Sequence, residues 1–336
     1  MDSTRTSSTQ SVQSATENPE IVKLHPSGDA IIVLLDSNNK AHGRFLVCSA
    51  TLCLVSPYFR TLFGPDFKEG SEVRQGKCPE ISLEEEEPKA MEKLLCILHF
   101  YDLDRYQSME PRAIALLAQQ SDKYDCGRAL VPWSGLWFKG VEKLTKPEEY
   151  GFLLTAAYLL DLAEWFRIIS ATAIRHMPAD FLVTWAKDKI TSRLSWNIQN
   201  ALEKQLLAAL AEIQQKIFAV EKALRSGNKQ IFQLNNRFDS HGYALSYCGA
   251  EVRVADYFLA LRECGLWPSI ADFPTCSISD VNFLIQKAKG FKGHDCQGRE
   301  SCIFKKELQA LPDKIDTITR RIKGISIEPR IITRDI

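Results

Sequence analysis

Residues 45–70, FLVCSATLCLVSPYFRTLFGPDFKEG, leave the backbone few choices. Phe45 to Cys48 reads as a short extended run, and Ser49 as an N-cap whose hydroxyl can accept an N–H of a first helical turn. Beyond it Leu52, Val55, Phe59, Leu62 and Phe63 recur at spacings that place them on one helix face. Pro57 has no N–H and crowds the turn before it, so that helix must break. The spacing therefore predicts two short helices, Ala50 to Val55 and Pro57 to Phe63, with Pro57 at the first position of the second. Gly64-Pro65 ends the second, and Phe67-Lys68-Glu69-Gly70 reads as a turn carrying one exposed aromatic.

The residues ahead of this stretch are strand-like. Ile21 to Leu24 is a short extended run, and His25 to Asp29 is turn chemistry. Ala30 to Leu35 is β-branched and apolar without alternation, as expected of a central strand covered on both faces. Asp36 to Lys40 turns it into the strand His42 to Val47, a β-hairpin. Ser71 to Pro79 reads as a polar loop and Glu80 to Leu83 as a strand that joins the hairpin. The run Glu84 to Glu87 reads as the acidic start of the next helix, Ala90 to Phe100.

Val47-Cys48-Ser49, Leu52, Ser56-Pro57-Tyr58-Phe59, Leu62-Phe63, Phe67 and Glu69-Gly70 together resemble the core of a BTB/POZ domain, more narrowly the type abundant in filamentous fungi. The resemblance runs from Ile21 to Phe100 and weakens downstream. It implies a small sheet flanked by helices, protein partners and no catalytic residues. It also implies that a hydrophobic residue followed two positions later by Glu can engage a cullin ubiquitin-ligase scaffold. That assigns partner binding to Phe67 and Glu69, with Lys68 between them. Two readings of Phe67 stay open: an anchor in a partner pocket, or a ring folded back on its own domain. Dimeric members carry an amphipathic helix and strand ahead of the core. Here only Ile21 to Leu24 comes after a polar tail, so a homodimer would rest on that strand pairing across a two-fold axis.

The rest of the chain is read as helical, giving an α+β protein that is mostly α overall. Pro111 to Leu130 carries Ile114, Leu117, Ala118, Ser121 and Tyr124 at helical spacing. Trp133 and Trp137 lie one turn apart as core, and Tyr150 to Met177 is one long apolar helix or two. From Trp196 the pattern changes to a heptad seam through Leu206, Leu210, Ile213, Ile217, Val220 and Leu224. Ile231, Leu234 and Phe238 resume its phase after Gly227. A second seam, Phe304, Leu308, Leu311, Ile315, Ile318, Ile322 and Ile325, contains Pro312, which should kink it. The expected organisation is a disordered tail 1–19, a BTB/POZ-like domain 20–130, a helical extension 131–195 and a C-terminal region 196–336 with heptad helices at 199–238 and 303–326. Those two helices are expected to pair antiparallel within one chain, as a coiled-coil-like hairpin favoured by effective concentration. Pairing between chains would instead make a self-associating scaffold.

Composition narrows the partners. The 42 basic and 42 acidic residues cancel, so no basic surplus invites nucleic acid. The longest apolar run, Tyr150 to Leu162, contains Asp161 and falls short of the about 18 residues that span a bilayer. Ten cysteines without a signal segment point to a reducing, intracellular setting, cytoplasm or nucleus.

Chemistry has one candidate. His294, Cys296 and Cys302 lie on a stretch with Gly290 and Gly293, and Cys276 is the further ligand, with Cys264 and Cys248 also available. Thiolates and imidazole suit a structural zinc; the alternative is a surface loop with incidental thiols. Beyond that zinc no cofactor is expected. The chain has no phosphate loop, no nucleophile elbow and no H-E-x-x-H, so the expectation is a binding protein rather than an enzyme, a zinc-dependent enzyme being the remote case.

Overall fold

The computed structural model describes residues 19–85, 87–226, 248–267, 275–296 and 302–328. The chain divides into two compact units: 1–107 with 120–129, and 108–119 with 130–336.

The first unit is built on a four-stranded sheet of β1 (Ile21–Lys23), β2 (Ala30–Leu35), β3 (Ala41–Val47) and β4 (Glu80–Glu84), in the order β1-β3-β2-β4. β2 pairs antiparallel with β3 and parallel with β4, so the apolar run sits centrally as its composition requires. β1 pairs parallel with β3 of the same chain. The hairpin turn is set by Asp36, whose Oδ1 accepts the N–H groups of Asn38 and Lys40 at 2.9 and 3.0 Å. These bonds hold the Asp36 carboxyl below its usual range.

Helices α1 (Ser49–Val55), α2 (Pro57–Leu62), α3 (Lys68–Arg74) and α4 (Pro88–Leu98) complete this unit. The break at Pro57 is where the sequence places it, and Ser56 caps α2 by accepting the Phe59 N–H at 3.1 Å. Ser49 is not a cap. It is the first residue of α1, and the Asp29 carboxylate accepts both its N–H and its hydroxyl at 2.7 Å. A charged acceptor from a remote turn satisfies that helix end better than the hydroxyl would. The core gathers Ile32, Leu34, Val47, Leu52, Phe59, Met91, Leu94 and Leu95, all fully buried.

Two other expectations for this unit are corrected. The stretch from Lys68 is helical as far as Arg74, so the polar loop shrinks to a few residues before β4. The acidic run does not open α4: Glu84 ends β4, Glu87 precedes the helix, and no acid lies in its first turn. Glu85 extends the β4 ladder, its N–H bonded to the Leu35 carbonyl at 2.9 Å, which turns its side chain inward.

Helix α5 (Pro111–Lys123) gives residues 111–119 to the second unit and 120–123 to the first. It stops short of the expected Leu130 because Asp125 takes a positive φ of 48°, and Gly127–Trp133 comes next as a 3-10 segment. The second unit continues with α6 (Ser134–Trp137), α7 (Pro147–Leu159), α8 (Ala163–His176) and α9 (Phe181–Trp185). Asp161, with a φ of 55°, divides the long apolar stretch into α7 and α8. Trp133 and Trp137 stack at 5.7 Å, and Trp137 is buried.

The heptad segments form α10 (Trp196–Ser226) and, after α11 (Ala250–Glu263) and α12 (Ile278–Ala288), α13 (Ile303–Arg320). The seam residues Leu206 to Leu224 and Phe304 to Ile318 are buried. α10 and α13 pack together: Gln205 donates to the Gly324 carbonyl at 3.5 Å and Arg321 pairs with Glu212 at 2.6 Å, so the two helices run in opposite directions. α11 and α12 also pack against both, so the pair is part of a bundle. α13 continues through buried Pro312. It ends at Arg320, before Ile322 and Ile325, because Gly324 takes a φ of 80° and the chain beyond it docks on α8. There Ser170 Oγ accepts the Ile325 N–H at 2.8 Å, and Arg175 bonds the Ile322 carbonyl at 2.9 Å. The seam residues Ile231, Leu234 and Phe238 lie outside the described residues. Among the described residues, no helix is long and apolar enough to cross a membrane.

Candidate functional sites

The first site is the start of α3. Phe67 occupies the N-cap position in an extended conformation and is 45% exposed, so its ring is not folded into the core. Lys68 is exposed and reaches Glu72 at 3.8 Å; Glu69 lies in the first turn, where a carboxylate suits the helix dipole. The residues that fix this turn are behind it. A Cβ on Gly70 would lie 2.1 Å from the Gly64 carbonyl oxygen and 2.3 Å from that of Phe63, so only glycine lets α3 close on the end of α2. Arg74 donates to those same carbonyls at 3.5 and 3.4 Å. Gly70 and Arg74 thus hold a small apolar and acidic feature on a rigid base.

Other exposed apolar rings in this unit escaped the sequence reading. Phe100 is 80% exposed at a φ of 57°, with Tyr101 beside it, at the end of α4. The signal was absent because a helix pattern ending in two aromatics looks like core. Inside the unit, Glu85 is buried to 1% side-chain exposure; Lys123 approaches it at 3.0 Å and the Tyr124 hydroxyl donates to it. Burial and that bond to Glu85 push the Tyr124 phenol well above its usual range.

The second site lies in the helical unit. Cys248, His294, Cys296 and Cys302 place one ligand atom each within 4.8 Å of all the others. Three segments supply them: the residue before the N-cap of α11, the loop after α12, and the N-cap of α13. Cys302 Sγ lies 3.2 Å from His294 Nε2 and 3.8 Å from Cys248 Sγ. His294 has a side chain 1% exposed, and its Nδ1 lies 2.7 Å from Asp256 Oδ2. With Nδ1–H donating to that carboxylate, Nε2 turns a lone pair toward the thiols. Phe304 packs on the imidazole at 4.3 Å.

Of the residues proposed from sequence, His294, Cys296 and Cys302 come together and Cys276 does not. Cys276 immediately precedes Ser277, which caps α12 through Asp280, and so is tied to the other end of that helix. Cys248 takes its place, 54 positions from Cys302, a separation no motif reveals. The thiols compete for charge. Burial pushes Cys302 up, but the Lys305 backbone N–H and the contacts with Cys296, His294 and Cys248 outweigh it and bring the thiol down to about 7. Burial and then the Cys302 charge push Cys248 up to about 12. Elsewhere Cys96 and Cys126 are buried small hydrophobes, with burial holding Cys126 up at about 12.

A family model described as the BTB/POZ domain matches residues 28–129. Searches of curated proteins and of solved structures returned no match.

Proposed function

Residues 28–129 being a BTB/POZ domain, a protein–protein interaction module, we propose that the chain is an adaptor that presents Phe67 and Glu69 to a cullin-type ubiquitin-ligase scaffold. The observation that carries this reading is Phe67: a large ring, nearly half exposed, at the N-cap of a helix whose backbone is locked by Gly70. An exposed aromatic on a rigid turn loses little entropy on docking and suits a partner pocket. Glu69 adds specificity and encounter rate more than affinity. The reading is of binding rather than catalysis, in reducing, intracellular surroundings that suit a chain with ten cysteines. Kinship with the filamentous-fungal members belongs to it too, resting on the small residue Ser49.

Burial of both heptad seams inside one chain supports the adaptor over the self-associating scaffold. The test is binding of the full chain to a purified cullin scaffold. Phe67→Ala should weaken it about 30-fold, the effect of losing an anchor worth about 2 kcal/mol, with circular dichroism unchanged. Lys68→Ala should change little. Wild-type protein that does not bind the scaffold, or a Phe67→Ala variant that binds as well, overturns the reading.

A further inference from the structure

Outside that interaction surface, we infer that Cys248, His294, Cys296 and Cys302 form a binding site for a single zinc ion that has a structural role.

The geometry fits one tetrahedral ion. A Zn–S bond of about 2.3 Å implies an S···S edge of about 3.8 Å in a tetrahedron. Cys248 and Cys302 stand 3.8 Å apart, and the whole set fits within 4.8 Å. An iron–sulfur cluster would hold its cysteines much further apart, and an oxygen-loving ion such as magnesium or calcium would not choose three thiols. Three sulfurs and one nitrogen are a donor set that zinc takes in closed sites. Four protein ligands leave no position for a water, so the ion would serve the fold and not a reaction.

Two further features point the same way. Asp256 fixes the His294 tautomer and ring orientation, the arrangement that normally supports a metal-bound histidine. The site also sits at the beginnings of α11 and α13, whose dipoles favour the net negative charge of a zinc with three thiolates. Binding would tie the start of α11, the loop after α12 and the start of α13 to one point. That cross-link closes a loop of 54 positions between Cys248 and Cys302, so its effect on the unfolded chain is large.

The experiment is metal analysis of the full chain by mass spectrometry. About one zinc per chain should co-purify or be retained after zinc loading and dialysis. Cys296→Ser with Cys302→Ser should abolish retention, Cys248→Ser should reduce it sharply, and Cys276→Ser should leave it intact. Asp256→Asn keeps all four ligands and should weaken zinc binding about 10- to 100-fold. X-ray absorption of the zinc-loaded wild type needs no variant, and should show three sulfur neighbours at about 2.3 Å and one nitrogen at about 2.0 Å. Zinc-free wild-type protein after loading overturns the inference. So does an oxygen-rich shell, zinc retained by the double variant, or loss of zinc from Cys276→Ser but not Cys248→Ser.

Discussion

Each unit of this protein buries a polar cluster, and the two resolve their charge differently. In the BTB/POZ unit, Glu85 is compensated from within: Lys123 stands 3.0 Å away and the Tyr124 hydroxyl donates to it. In the helical unit three thiols and an imidazole converge, and the hydrogen-bond partner of His294 Nδ1 is another acid, Asp256. The first cluster is complete as chain. The second gathers donors around a point that a dication would fill. Buried charge needs compensation in either case, and on the zinc inference an ion would supply it in the second cluster.

This contrast can be broken. The largest effect should come from chelation of the zinc-loaded full chain, which should lower the stability of the helical unit by about 4 kcal/mol or more, the linkage value for ligand at 1,000 times Kd. Denaturant unfolding followed with and without chelator measures it; identical curves would mean that the second cluster too is complete without a metal. Next, Glu85→Gln should destabilise the BTB/POZ unit by about 2 kcal/mol, since it weakens the partner of a buried phenol and an ammonium. That loss should be the same with and without chelator, and a chelator-dependent loss would merge the two clusters into one effect.

The smallest effect is a pH dependence. His99 is buried and neutral, with the Cys48 N–H donating to its Nε2 at 3.1 Å and its Nδ1–H donating to the Leu95 carbonyl at 2.8 Å. Burial lowers its pKa below the usual histidine value. The unfolded chain therefore binds the extra proton first. The contribution is intact above about pH 6.5 and is lost as pH falls below it. Ring NMR should find His99 still neutral where a free histidine is half-protonated. A His99 titrating at or above the ordinary value would sink this account of its packing.

The BTB/POZ half was far more legible than the helical half. Its strands, the Pro57 break and the apolar faces of α1 and α2 derive from local spacing, which a single sequence displays. Even there, long-range partners stayed hidden. Nothing local shows that Asp29 would cap α1, or that Glu85 would turn inward at the end of an acidic strand. The heptad seams announced two helices and their burial, but not that α13 would stop at Arg320, since that depends on Gly324 meeting α8. At the thiol–imidazole cluster, the close triad was visible because His294, Cys296 and Cys302 are neighbours in sequence. Cys248 was one of several interchangeable thiols until folding chose it over Cys276.

Helix α5 has a consequence for how this architecture could be taken apart. Tyr124, just past its end, supplies the carbonyl that accepts the Ser56 hydroxyl at 2.6 Å and the phenol that meets Glu85. A cut placed before residue 120 would strip both from the interaction module. A cut placed after residue 129 would keep them, but would carry along Ala115, whose packing mates Phe152 and Ile190 stay behind. Neither boundary yields a clean cassette. Because α5 gives residues to both units, no single cut beside it leaves the packing of each intact.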